Sequence, residues 1–150
     1  MGDARLALRD LNAALGLSQL PAERWPILQL MTEAYRNLGD IQSAHDTLSR
    51  TIEIDGPRAF HLVNRAILFM EEKKYEQALQ SVDAAIAKMP RQFGYLIVRS
   101  EINTAMGREI DALADIDEFA RGAGVTGHYY RAKTYERLGQ TENAIAEYNV

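Results

Sequence analysis

The chain has no cysteine, which removes disulfides, thiolate metal sites and a cysteine nucleophile from consideration. Proline is scarce, with four residues in 150, and glycine numbers ten; so little of either argues against a disordered chain. There is no Lys/Arg run, and the net charge is −4, so nothing draws the chain to nucleic acid or to an anionic membrane. No apolar run reaches the length of a membrane span. The early charges Asp3, Arg5, Arg9 and Asp10 leave no apolar core of signal-peptide length. Met1-Gly2 opens as a myristoylation signal does, but Leu6 stands where that signal needs Ser or Thr. Compartment is therefore not specified by the sequence.

Candidate chemistry is equally sparse. The three histidines, His45, His61 and His128, form no close helical pair, and no HExxH occurs. They read as packing or surface residues. The glycines fall at helix ends and build no phosphate loop. The acidic run Asp111, Asp115, Asp117, Glu118 reads as a solvated helix face. No catalytic set emerges, so neither an enzyme nor a cofactor is expected.

What is present is a period. Glycine precedes alanine by five positions at Gly2/Ala7, Gly39/Ala44, Gly107/Ala112 and Gly139/Ala144, and Lys73/Ala78 fills the missing place. The step from Ala44 to Ala78 is 34 residues, that from Ala78 to Ala112 is 34, and that from Ala112 to Ala144 is 32. Leu28, Leu62 and Leu96 are in phase, with His128 next. Thr32, Ala66, Ser100 and Ala132 form a small column, Tyr35, Phe69 and Tyr135 an aromatic one, and Leu48, Val82, Ile116 and Tyr148 an apolar one. Many columns at one period signal a repeat architecture.

Each unit reads as two helices. Leu28, Met31, Thr32 and Tyr35 have helical spacing, as do Ile41, Ala44, Leu48 and Thr51. The glycine between them suits a left-handed helix end, so Lys73 predicts a strained turn. Gly56-Pro57 and Pro90 stop second helices. Small columns let antiparallel helices approach closely. Gly122, Gly124 and Gly127 predict a short or loosened junction before the last unit.

A helix pair of this period with these columns resembles the tetratricopeptide repeat. The best match is Leu62, Asn64, Ala66, Phe69, Tyr75, Ala78, Val82, Ala85 and Pro90. The resemblance covers roughly residues 25–150. It implies an all-α, right-handed superhelical solenoid of antiparallel helix pairs. Residues 25–58, 59–92 and 93–124 are expected to be repeats, and 125–150 a truncated one. Residues 1–20 are expected to hold the second helix of an incomplete unit, with Met1 in phase with Leu38, and an irregular junction over Gly16–Glu23. A chain that starts and stops within a unit is expected to be a segment of a longer array. Its uncapped ends, where Ile145 and Tyr148 lack a covering helix, are candidates for self-association.

The resemblance also implies that first helices line a concave groove that grips a peptide or helix of another protein. By position that face carries Gln29, Glu33, Arg36, Phe60, Val63, Asn64, Ile67, Met70, Ile97, Glu101, Tyr129 and Lys133. Val63, Ile67 and Met70 form a second apolar stripe beside Leu62, Ala66 and Phe69. That stripe is expected to receive an apolar segment unless neighbouring helices cover it. Arg65, Arg99 and Arg131 stand where the family has Leu. Either their stems pack while nearby acids, Asp115 and Glu118 among them, pair the guanidinium, or they form a ladder for an acidic partner. Asn103 and Phe119 invert the usual large and small places, a volume exchange. Of the clamp by which some members hold acidic chaperone C-termini, only Asn64 matches. Gln29, Glu33, Gly94 and Val98 occupy the other places, and Glu33 would repel a carboxylate. The sequence thus points to a protein-interaction module of scaffold type. A small secretion-type chaperone shielding an apolar client is the alternative.

Overall fold

A computed structural model describes residues 2–150; the phase read for Met1 lies outside them. Nine α-helices and no strand occur among the described residues: α1 (Gly2–Leu17), α2 (Pro21–Asn37), α3 (Ile41–Asp55), α4 (Ala59–Glu71), α5 (Tyr75–Lys88), α6 (Gly94–Ala105), α7 (Glu109–Ala123), α8 (Val125–Arg137) and α9 (Thr141–Tyr148). Each helix packs on the next, and α4, α6 and α8 also touch in succession. The result is a one-dimensional stack with no single central core.

The four turns inside the pairs α2–α3, α4–α5, α6–α7 and α8–α9 share one hydrogen-bond pattern. Asp40 N–H donates to the Tyr35 carbonyl at 3.0 Å, Lys74 to Phe69 at 2.8 Å, Arg108 to Asn103 at 2.8 Å and Gln140 to Tyr135 at 2.9 Å. The residue before each donor is left-handed, with φ of 76° at Gly39, 59° at Lys73, 71° at Gly107 and 75° at Gly139. This six-to-one closure satisfies carbonyls that the helix end would otherwise orphan. Lys73 pays a side-chain penalty at that angle, as its place in the glycine column predicts. Lys73→Gly is expected to raise stability by up to about 1 kcal/mol, because relief of the left-handed strain exceeds the added freedom of the unfolded chain. A urea midpoint that falls instead would show the strain to be absent.

The columns supply the packing. Ala44, Ala78 and Ala112 are fully buried, as are Ala66 and Ala132, so facing helices meet backbone to backbone. Leu28, Leu48, Val82 and Ile116 fill the space between them. Each of these large side chains, truncated to alanine, is expected to cost about 2–5 kcal/mol.

The structure corrects the sequence reading at one junction and decides between its alternatives at another. The first is not an extended irregular segment, because only Ser18, Gln19 and Leu20 separate α1 from α2. Pro21 occupies the first position of α2, where a missing N–H costs nothing. Pro26 lies inside α2. The second junction is not loosened. One residue, Gly124, joins α7 to α8, and Gly127 is buried. A Cβ added at Gly127 would sit 2.6 Å from the Ala120 Cα. Gly127 is there so that α8 can cross α7 at close range.

Candidate functional site

First helices α2, α4, α6 and α8 form one continuous face. Between α2 and α4 lies a concavity of about 220 Å³ lined by Gln29, Thr32, Glu33, Arg36, Asn64, Ile67 and Leu68. Five of the residues assigned to the groove meet here: Gln29, Glu33, Arg36, Asn64 and Ile67. Arg36 Nη1 stands 3.8 Å from Glu71 Oε1 across the rim. A second concavity, about 360 Å³, is lined by Met70, Glu101, Thr104, Ala105 and Arg137. Arg137 Nη1 donates to Glu101 Oε1 at 2.7 Å, tying α8 to α6. Glu71 and Arg137 were not read from the sequence. They share one repeat column, with Asn37 and Ala105, and the opposite charges of Glu71 and Arg137 in that column are the signal that marks them.

The remaining groove residues are dispersed. Val63 is core, 8% exposed beside Ala59, Leu62 and Ala85. Ile67 is half-buried and packs on the same cluster with Tyr95 and Val98, and Met70 packs on the next. The apolar stripe expected to receive a partner is therefore covered along much of its length by α6. The reason is geometric: successive first helices also touch one another, so a first helix buries two faces. Phe60 lies 6.2 Å from Trp25 and 4.1 Å from His61, ring to ring. Ile97 is half-buried on α6. Tyr129 is exposed, edge-on to Tyr130 at 5.4 Å, and Lys133 pairs with Glu136 at 3.4 Å.

The arginine column is not a free ladder. Arg99 donates through Nε and Nη2 to Asp115, at 2.6 Å for the shortest contact, and through Nη1 to Asp83 at 2.9 Å. Its hydrogen bonds to Asp115 raise its pKa further, against the opposing effect of burial. Arg131 pairs with Glu147 at 2.8 Å and with Asp117 at 3.1 Å. Burial pushes the Glu147 carboxyl up, but Arg131 and His128 together outweigh it and hold the group below its usual value. Arg65 is half-buried beside Phe69 and Ser81, where no carboxylate faces it. Asn103, 4% exposed, joins the Arg99 network by donating to Asp115 at 3.2 Å. Its exchange with Phe119 is thus a polar network and not a volume swap, since Phe119 stacks edge-on against Tyr130 of the following helix. Glu118 is exposed and outside the network.

The helix order and the repeating turn match solved structures. MamA aligns with a TM-score of 0.71 at 15% identity, over 99% of this chain and 86% of that one. The nearly identical TPR-like repeats of a putative kinesin light chain from Podosopora anserina give 0.73 at 13%, over 97% and 82%. BtubC (BKLC) from P. vanneervenii gives 0.75 at 16%, over 99% and 71%. The fold is a tetratricopeptide-repeat-like solenoid. No protein-family profile and no curated protein sequence matches the chain.

In this tetratricopeptide-like frame each histidine has a structural partner. His61 is fully buried and donates from Nδ1 to the Gly56 carbonyl at 2.9 Å, closing the α3–α4 junction. His45 faces Glu72 at 3.0 Å and His128 faces Glu147 at 2.8 Å. Among the described residues no three His, Asp or Glu side chains gather as a metal donor set. Among the described residues no helix is long and apolar enough to cross a membrane.

One depression was not foreseen. Between α1 and α2 runs an apolar trough of about 760 Å³, lined by Ala4, Ala7, Asp10, Leu11, Leu30, Glu33, Ala34, Asn37 and Leu38. Glu33 lines both this trough and the α2–α4 concavity.

Proposed function

We propose that the chain is a protein-interaction module whose first-helix groove holds a segment of a partner protein. The observation that carries this reading is the α2–α4 concavity, where the Gln29 and Asn64 amides face open space beside Ile67. Neither amide makes a hydrogen bond among the described residues. A carboxamide both donates and accepts, so a pair of them suits the alternating N–H and C=O groups of an extended peptide. Ile67 and the Arg36 and Glu33 charges then select side chains at either end. The tetratricopeptide-like fold agrees with such a role, although a fold by itself names no partner.

Selection of a displayed random-peptide library on the immobilised chain tests this. Enriched peptides are expected, and Gln29→Ala with Asn64→Ala is expected to weaken them about thirtyfold, two hydrogen bonds of roughly 1 kcal/mol each being at stake. Both side chains are partly exposed, so helicity should hold. Failure to enrich any sequence, or equal binding by the folded double variant, would remove the groove as the site.

A further inference from the structure

Successive first helices are separated by three gaps, and the same two repeat positions recur at each. They hold Glu101 and Arg137 between α6 and α8, Ile67 and Ala105 between α4 and α6, and Glu33 and Glu71 between α2 and α4. The α6–α8 gap is closed by its own charges, because Arg137 Nη1 donates to Glu101 Oε1 at 2.7 Å. The α4–α6 gap is apolar at these places. The α2–α4 gap sets acid with acid, where the array elsewhere joins acid to base.

The chain's own cations do not balance this gap. Arg36 Nη1 stands 3.8 Å from Glu71 Oε1, too far for a hydrogen bond. Glu33 is exposed and enters no ion pair among the described residues. Two carboxylates thus share one loosely held guanidinium. Glu71 lies on α4 and takes no part in the α1–α2 trough. The mismatch therefore belongs to a gap whose two walls, α2 and α4, are both in place. The same gap presents the Gln29 and Asn64 amides and the Ile67 side chain.

We propose that the partner segment held in the α2–α4 groove is basic: it carries an arginine or lysine between Glu33 and Glu71, in the place that Arg137 takes beside Glu101. This deepens the peptide-groove reading and rests on it. A guanidinium has donors enough for two carboxylates at once. Its carbon stem lies along Ile67, while the segment's backbone meets the two amides. An acidic segment brings a third carboxylate to the same gap and is rejected.

Three displayed peptide libraries, random except for a central Arg, Ala or Glu, are selected on the whole immobilised chain. The Arg library is expected to enrich. Its best peptide, resynthesised with Glu at the centre, is expected to bind about tenfold more weakly in fluorescence anisotropy at low salt, with the difference shrinking as salt rises. Glu33→Arg should invert the order of the two peptides. Glu71→Arg rebuilds the arrangement of Glu101 with Arg137 and should erase the difference. Both variants change exposed or half-buried helix positions, and unchanged melting curves verify that they fold. Equal enrichment of the three libraries, with binding still lost in the Gln29→Ala, Asn64→Ala variant, would overturn the basic preference and leave the groove standing. No enrichment from any library would remove the groove and this inference together. A preference for Arg that survives both charge changes would place the cation elsewhere and sink the assignment.

Discussion

Replacing Gly127 by valine is expected to lower stability by about 3 kcal/mol or more, the upper end of what overpacking costs and beyond. The reason is backbone. An ideal Cβ at this position lies 2.6 Å from Ala120 Cα, 2.8 Å from its Cβ and 2.9 Å from its carbonyl oxygen. None of these is the movable tip of a side chain. Nor can α8 retreat, because the single residue Gly124, with φ 54° and ψ −134°, ties it to α7. The sign of a smaller change is equally diagnostic. Helix propensity alone makes Gly127→Ala stabilising by about 1 kcal/mol, whereas the α7–α8 crossing makes it destabilising. Because a solenoid is held by nearest-neighbour interfaces, α8–α9 should detach first and the melt should become two-step. Urea unfolding followed by circular dichroism separates the cases. A stabilised Gly127→Ala variant would mean that the helices do not cross as described.

How far the sequence reached follows the range of the interaction involved. The column residues were legible because each repeats an identical local task. Ala78 must be small wherever a second helix meets the first, and a left-handed residue must precede Lys74 wherever the chain turns back. The period reports both tasks several times over. Gly127 was read only as part of a short or loosened junction because a glycine near a junction has two meanings, permitted φ or permitted contact. Only the position of Ala120 on another helix decides between them. The groove was legible in position but not in character. Gln29, Glu33, Arg36, Asn64 and Ile67 do converge, but the stripe of Val63 also meets α6, a neighbour that periodicity within one helix does not reveal. The trough beside α1 escaped because Ala7 obeys its column, and the column does not report that Ala7 is exposed.

Arg99→Met is expected to cost about 3 kcal/mol, while Arg99→Met combined with Asp115→Leu is expected to fall within about 1 kcal/mol of the parent. The asymmetry comes from where each charge sits. The Asp115 side chain is 6% exposed and Arg99 27%. Removing Arg99 leaves a carboxylate out of water with only the Asn103 amide, 3.2 Å away, to satisfy it. Removing Asp115 alone is milder, about 1–2 kcal/mol, because Arg99 keeps Asp83 at 2.9 Å and some solvent. Removing both trades a desolvated ion pair for apolar contact between α6 and α7, leaving the Asn103 amide short of one acceptor. The cycle should therefore show a coupling of about 3 kcal/mol or more, measured as urea midpoints of the four proteins. Additive effects would show that the guanidinium is held by water and Asp83, and that the column arginine stays available to an outside partner. A strong coupling would instead fix its task as joining α6 to α7.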